Sequence, residues 1–153
     1  MTTMLCPTRG GKESQPNQDF AIQYAKQHDA DLLFLYVSDL RLISRAGPPI
    51  VVDIEEELSE VGDFMLTMAQ ERAEKAGVTA GTAVRSGVFS DVLREIIREN
   101  KIHTVILGES HEKTGVATSE YLQHLSEDLG RELNVEFIVV RQGELVFRSK
   151  GEE

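Results

Sequence analysis

The chain has 153 residues, of which 41% are hydrophobic and 27% charged, a composition typical of one globular domain that can bury its own core. Its 26 acidic residues outnumber 16 basic ones, and the net charge of −10 disfavours broad binding to nucleic acid or to an anionic membrane surface. The single cysteine, Cys6, excludes an internal disulfide, and no apolar run approaches the roughly 20 residues of a membrane helix, so we expect a cytoplasmic protein without direct membrane insertion.

Short apolar runs predict five strands. Residues 3–6 form the first run, and those at 32–37, 103–107 and 135–140 are nearly continuous in apolar residues, as is typical of parallel strands covered on both faces. The run at 78–85 is more polar and contains Gly81, so we expect it nearer a sheet edge.

Between the strands the apolar period changes to about 3.6 residues, which predicts four helices. The first has Ser14 as a candidate cap and Pro16 in its first turn, and the second runs from Asp53 to Gly77. The residues predicted to form the apolar faces are Phe20, Ala21, Tyr24, Ala25 and His28; then Ile54, Leu58, Val61, Met65, Met68 and Arg72; then Phe89, Val92, Leu93, Ile96 and Ile97; and finally Leu122, Leu125, Leu129 and Leu133.

This alternation predicts an open, doubly wound parallel α/β sheet with helices on both faces over residues 1–143, because parallel strands need right-handed crossovers. The segment from Asp39 to Val52 fits neither period and is predicted to be a mobile excursion. Residues 144–153 are predicted to be a C-terminal tail, whose Leu145-Val146-Phe147 could add a short antiparallel strand.

Two loops are candidates for chemistry, since an open parallel sheet places its crevice beyond the carboxyl ends of the strands, where strand order reverses. They follow the first and fourth strands, at residues 7–11 and 108–115, and both contain glycine. Glycine lets a backbone approach a ligand closely, but it is also ordinary turn chemistry after a strand. The spacing alone leaves both interpretations open.

The order of several motifs resembles the universal stress protein family, from about Met4 to Arg141. These motifs are Cys6-Pro7-Thr8 with Gly10-Gly11, Leu35-Tyr36-Val37, Gly87-Val88-Phe89-Ser90-Asp91-Val92-Leu93, Val105-Ile106-Leu107-Gly108, Ser126-Glu127 and Phe137-Ile138-Val139-Val140.

The resemblance implies a five-stranded sheet of order 3-2-1-4-5. It also implies homodimers through the last strand and, in many members, ATP in the crevice. On this basis the candidate nucleotide- or anion-binding residues are Pro7, Thr8, Arg9, Val37, Gly108, His111, Gly115 and His124.

The resemblance also implies a pattern for ATP-binding members, which is Gly-x-x-Gly and, about nine residues later, Gly followed by Ser or Thr. This chain departs from that pattern. Gly108 is present, but His111 stands at the second glycine and Gln123-His124 at the last pair; Thr118-Ser119 would substitute only if the fourth helix began earlier. Arg9 replaces the usual acidic residue. A phosphate cradle needs converging main-chain N–H groups without intervening side chains, so triphosphate binding is disfavoured. Arg9 and His111 still offer positive charge to a smaller phosphate ligand.

Other reactive side chains predict no catalytic site. The four histidines lack metal-ligand spacing, and Cys6 at the end of a strand is expected to be buried and inert. No nucleophile-elbow serine, Walker sequence or dinucleotide fingerprint occurs. We therefore expect a protein that is not an enzyme, with weak ATPase activity left open and no cofactor assigned beyond ATP or another adenine nucleotide as a candidate.

The leading hypothesis is a stress-response or regulatory protein that acts as a homodimer and binds an unidentified protein partner. The apolar fifth strand, with Val135, Phe137 and Val139, needs a covered edge, which a second copy would supply. A rival interpretation is that the tail folds back and covers that edge within one chain.

Two other functions stay open. One is a switch that binds an adenine nucleotide in the crevice between the two loops. The other is a former cytoplasmic domain of a membrane transporter, because Arg9-Gly10-Gly11 is similar to the first loop of transporter-attached modules, which makes a transporter a candidate partner.

Overall fold

The computed structural model describes residues 2–8, 14–38, 48–108 and 119–149, and the side chains of all of these except 48–61 and 119–120. Its strands are β1 (Thr3–Pro7), β2 (Asp31–Ser38), β3 (Ala80–Ser86), β4 (Thr104–Gly108), β5 (Glu136–Arg141) and β6 (Glu144–Ser149). Its helices are α1 (Gln15–Gln27), α2 (Pro48–Lys75), α3 (Phe89–Asn100) and α4 (Ser119–Leu133).

The sheet has six strands in the order β3-β2-β1-β4-β5-β6, so the prediction of five strands is wrong. Strands β1 to β5 are parallel in the predicted order, with β3 at one edge as expected, and β6 runs antiparallel to β5. The chain reverses through Gln142 (φ 52°) and Gly143 (φ 81°). Two successive residues with positive φ match the twist of paired strands, and this tight turn returns the tail alongside β5.

Strand β6 occupies the edge of β5 at which we predicted that a second copy would pair. This is the alternative arrangement, in which the tail folds back and covers that edge within one chain. The register pairs Phe137 with Ser149 and Val139 with Phe147. The side chains of Val135, Phe137 and Val139 are 1%, 0% and 2% exposed, and they pack in the core. These residues are therefore not a free interface, and a second copy could pair with β5 only if β6 moved away.

The sheet separates two layers of buried side chains. Phe34 and Ile138 face α1 and α2, together with Leu66 of α2. On the opposite face, Phe137 packs with Leu93 of α3 and with residues of α4. Four successive residues of β5 are buried, as the continuous apolar run predicted for a strand covered on both faces.

Helix α2 differs from its prediction at its start. It begins at Pro48 rather than at Asp53, so residues 48–52 of the predicted excursion are helical. Residues 39–47, the rest of that excursion, lie outside the described residues.

The buried stripe of α2 also differs from the prediction. Met68 is 43% exposed, whereas Leu66, Ala69 and Ala73 are buried. A Cβ added to the buried Gly62 would lie 2.7 Å from Cδ1 of Tyr36, so the helix approaches β2 through its small residues. The prediction is therefore wrong for Met68, whereas Met65 is half-buried and the side chains of Ile54, Leu58 and Val61 lie outside the described ones. Close packing on the sheet favours the helix face that permits the closest approach.

The two ends of α1 match the prediction in part. Ser14 has helical backbone angles (φ −85°, ψ −13°) and makes no side-chain cap hydrogen bond, whereas a cap residue usually has an extended backbone. Ser14 therefore occupies the predicted N-cap position, but its side chain does not cap the helix. Pro16 lies in the first turn, as predicted. His28 is the C-cap residue and is exposed, so its predicted place on the apolar face is wrong.

Within the part of the chain that the structure describes, no helix combines the length and apolar character needed to cross a bilayer.

Candidate functional site

Strand order reverses between β1 and β4, which lie side by side in the middle of the sheet. The register pairs Leu5 with Val105, so β1 at Pro7 and β4 at Gly108 end at the same edge. In an open parallel sheet a ligand crevice forms beyond this edge. The structure thus brings together Pro7, Thr8 and Gly108, and Val37 lies at the carboxyl end of the neighbouring β2.

Thr8 is held in place by contacts with β2 and α1. Its N–H donates to the carbonyl oxygen of Leu35 (2.8 Å), and its Oγ1 accepts a hydrogen bond from Nε2 of Gln18 (2.9 Å). The Oε1 of Gln18 in turn accepts a hydrogen bond from Arg72 of α2 (2.6 Å), and Arg72 also forms an ion pair with Asp19. This chain of bonds holds Thr8 in place at the carboxyl end of β1.

Asn17, in the first turn of α1, packs directly on Gly108. Its Oδ1 accepts a hydrogen bond from the N–H of Gly143, in the turn between β5 and β6 (2.9 Å). That bond sets the orientation of the carboxamide, and a Cβ added to Gly108 would lie 2.8 Å from Nδ2 of Asn17. A side chain at position 108 would therefore force the Asn17 carboxamide to move and would disturb its bond to Gly143, independently of any ligand.

Ser38 ends β2 at the same edge of the sheet. Its side chain is 4% exposed, and its Oγ has no hydrogen-bond partner among the described residues. Its carbonyl oxygen accepts a hydrogen bond from the N–H of Gly87 (3.0 Å), which connects β2 to the residue that follows β3. Buried hydroxyl groups are nearly always paired in proteins, so an unpaired one beside a crevice requires an explanation.

The remaining candidate residues are not assembled at this edge by the described structure. His124 lies inside α4 with an exposed side chain, and its main-chain N–H belongs to the helix rather than to a phosphate cradle. The sequence had already placed Gln123 and His124 within a helix, and the structure confirms this. Arg9, His111 and Gly115 lie outside the described residues.

The surroundings of Cys6 and His28 are explained by packing and local contacts in the fold. Cys6 is buried, as predicted, and burial raises the pKa of its thiol to about 12, which disfavours the reactive thiolate. The ring of His28 stacks on Tyr24 with 4.1 Å between centroids, and its Nδ1 lies 2.8 Å from the carbonyl oxygen of Tyr24. In the described ranges, no three His, Cys, Asp or Glu side chains are grouped so that they could hold a metal ion.

Asn17 and Ser38 are the two residues at this edge that sequence reasoning missed. Asn17 continues the helical spacing of the buried Ala21 and Ala25 toward the amino end of α1, which was the available signal. Ser38 continues the strand alternation of Phe34 and Tyr36, so the same pattern would have placed it on the α1 and α2 face. Neither signal reveals that Ser38 Oγ lacks a partner, since this depends on the surrounding side chains.

The fold and this edge define a class: an open α/β protein whose strand order reverses between β1 and β4, with a candidate ligand site at their carboxyl ends. The sequence model of the universal stress protein family matches residues 1–141, and the chain belongs to that family. No curated protein matches the chain significantly.

Solved structures share the fold at low sequence identity. A universal stress family protein from Burkholderia pseudomallei is 20% identical, with a TM-score of 0.67 over 91% of this chain and 95% of that chain. A universal stress protein in complex with cAMP is 21% identical, with a TM-score of 0.61 over 91% and 96% of the two chains. The protein from Archaeoglobus fulgidus in complex with dAMP is 11% identical, with a TM-score of 0.53 over 92% and 96%. At these identities the likeness establishes the fold alone.

Proposed function

We propose that the chain is a cytoplasmic regulatory protein of the stress response that binds an adenine nucleoside monophosphate in the crevice beyond β1 and β4. The observation that supports this proposal is the adjacency of Thr8 and Gly108 at the point where strand order reverses. Binding regulates the protein without turnover of the nucleotide, because the sequence offers no catalytic constellation.

A nucleotide with one phosphate is favoured over a triphosphate as the ligand for three reasons. In the sequence, His111 and Gln123-His124 occupy the positions where the pattern of ATP-binding members has glycine. Side chains at these positions obstruct a triphosphate cradle. The net charge of −10 opposes a polyanion more strongly than a singly phosphorylated ligand. In addition, the two relatives in complex with cAMP and dAMP each hold a nucleotide with one phosphate.

Calorimetric titration of the purified chain with AMP, cAMP, ADP and ATP tests the proposal. We expect saturable binding of AMP or cAMP at micromolar concentrations and weaker binding of ATP. Arg9→Ala should weaken binding, since Arg9 follows the strand that ends at the crevice. Arg131→Ala is a matched control, because it removes the same charge from an exposed position in the last turn of α4.

The proposal fails if neither monophosphate produces a heat or a fluorescence change at millimolar concentration. It also fails if the two arginine variants lose affinity equally, since the site would then not lie at the carboxyl edge of the sheet.

A second candidate function is self-association, now through β6 rather than β5. Leu145 and Val146 on this edge strand are 55% and 49% exposed. Antiparallel pairing of two copies centred on Val146 would place Glu144 of each copy opposite Arg148 of the other, so the charges are complementary. A further protein partner, including a membrane transporter, remains a prediction from the sequence.

A further inference from the structure

Ser38 carries a buried hydroxyl that has no hydrogen-bond partner in the part of the chain that the structure describes. It is 4% exposed, and no described atom forms a hydrogen bond with its Oγ. An unpaired hydroxyl destabilises the protein by the cost of removing it from water. Ser126 offers a direct contrast, because it is fully buried at 0% exposure and its Oγ donates to the carbonyl oxygen of Leu122 at 2.6 Å. Of these two buried serines, the one without a described partner ends β2, at the carboxyl edge of the sheet.

Asn17 also has unused hydrogen-bonding capacity at the crevice. Its Oδ1 is occupied by the N–H of Gly143, whereas its Nδ2 lies beside Gly108 without an acceptor among the described residues. A carboxamide nitrogen is a donor only. An acceptor such as a phosphate oxygen above the end of β4 would complete the bonding of this group.

The positions of the two groups match a ligand with two distinct ends. Ser38 and Gly108 belong to strands separated by β1, and the registers place Ser38 two residues beyond the level of Gly108. Strand spacing and residue rise then put the Cα atom of Ser38 about 12 Å from that of Gly108, on which Asn17 packs. This separation suits the span from phosphate to base in a nucleoside monophosphate, and it is too large for an inorganic phosphate ion to bridge.

We propose that Ser38 and Asn17 bind the two ends of one nucleoside monophosphate, with the Ser38 hydroxyl on the nucleoside and the Asn17 amide on the phosphate. The inference rests on the proposed function and deepens it, because it assigns the polar contacts that the sequence did not identify. Both residues lie on the α1 and α2 side of the sheet, at the edge where Thr8 is already fixed by Gln18.

Ser38→Ala tests the nucleoside contact. Removal of the unpaired hydroxyl should raise the melting temperature of the protein without ligand and should weaken AMP and adenosine binding by about five- to tenfold, since one hydrogen bond is lost. Ser126→Ala makes the same change at a buried site away from the crevice, and we expect its AMP affinity to equal that of the wild type. A serine with only a structural role would change the melting temperature and leave both affinities unaltered.

Asn17→Asp tests the phosphate contact. Aspartate keeps an acceptor for the N–H of Gly143 but replaces the amide donor with a negative charge. AMP affinity should fall by tenfold or more, while adenosine affinity should change by less than about twofold. Gln23→Glu is the matched control, because it makes the same amide-to-acid change at an exposed position of α1.

The outcomes separate this inference from the proposed function. If wild-type protein binds neither AMP nor cAMP, the proposed function fails and the inference fails with it. If the wild type binds AMP and the Ser38→Ala and Asn17→Asp variants bind it equally well, the inference alone is wrong. Equal loss of AMP and adenosine affinity in Asn17→Asp would also overturn the assignment of the phosphate end.

Discussion

Gly77 shows at the residue scale how backbone conformation, rather than space, can require glycine. It follows α2 with φ +90°, a conformation that other residues rarely adopt, and a Cβ there would meet nothing within 4 Å. We expect Gly77→Ala to lower the free energy of unfolding by about 1 kcal/mol, because the substitution adds conformational strain and removes no contact. Urea unfolding followed by circular dichroism measures the change.

Gly81→Ala serves as the control for this prediction. The backbone of Gly81 is outside the left-handed region, and an added Cβ would make an ordinary contact with Leu33 at 3.6 Å. We expect a change within about 0.5 kcal/mol. Equal destabilisation by the two substitutions would show that the conformation of Gly77 is not the source of the cost.

At the scale of elements, Arg94 connects α3 to α4. Its Nε donates to Oε2 of Glu132 at 2.6 Å, and a second nitrogen contacts Asp91 at 3.1 Å. Arg98 approaches the same carboxylate of Glu132 at 3.4 Å. The hydrogen bond from Arg94 holds the pKa of Glu132 below its ordinary value of 4.5. Because the folded pKa is depressed, the contact stabilises the fold above that ordinary value and is lost as the pH falls through the folded value.

Arg94→Met should therefore destabilise the protein at pH 7, and the difference from wild type should shrink as the pH falls below about 4.5. Chemical unfolding at pH 7, 5 and 3 measures this dependence. Arg131→Met removes the same charge from the end of α4 and controls for net charge. A difference between Arg94→Met and wild type that is constant from pH 7 to pH 3 would contradict the ion-pair explanation.

The β5–β6 hairpin is connected to α1 by a second polar cluster. Nε of Arg148 donates to Oε2 of Glu136 at 2.8 Å, and the hydroxyl of Tyr24 contacts both Glu136 and Arg148 at 3.4 Å. Burial, followed by the negative charge of Glu136, raises the pKa of Tyr24. Together with the bond between Asn17 and Gly143, this cluster holds β6 against β5 and makes the return of the tail part of the fold.

At the scale of the whole molecule, the edge strand β6 decides how copies could associate. If β6 forms the interface, the full chain should elute as a dimer and Val146→Lys as a monomer, because a lysine pair at the centre of the antiparallel edge repels. Light scattering coupled to size-exclusion chromatography measures the mass. Phe64→Lys is the control, since Phe64 is an exposed apolar residue of α2, at 64% exposure.

A chain ending at Gln142 extends this test, because it lacks β6 and leaves the edge of β5 open. A monomeric full chain with a dimeric truncated chain would mean that β6 covers the edge and prevents pairing. Two monomers would exclude pairing through either strand.

Much of the fold was predictable because the spacing of apolar residues along the sequence indicates which side chains are buried. The period of Val92, Leu93, Ile96 and Ile97 predicted the buried face of α3, and all four are at most 5% exposed. The continuous apolar run of β5 likewise predicted a strand covered on both faces. Pro7, Thr8 and Gly108 could be placed at one edge because parallel strands align their carboxyl ends.

Periodicity and the handedness of crossovers were sufficient to predict the four helices of the described residues, the parallel core and the edge where strand order reverses. Tertiary structure alone decided that α2 packs through Gly62 and Ala69, that β6 covers β5, and that Ser38 is unpaired while Asn17 covers Gly108. Those features depend on contacts between residues distant along the chain. Their outcome is set by how closely whole elements approach one another, which no local pattern specifies.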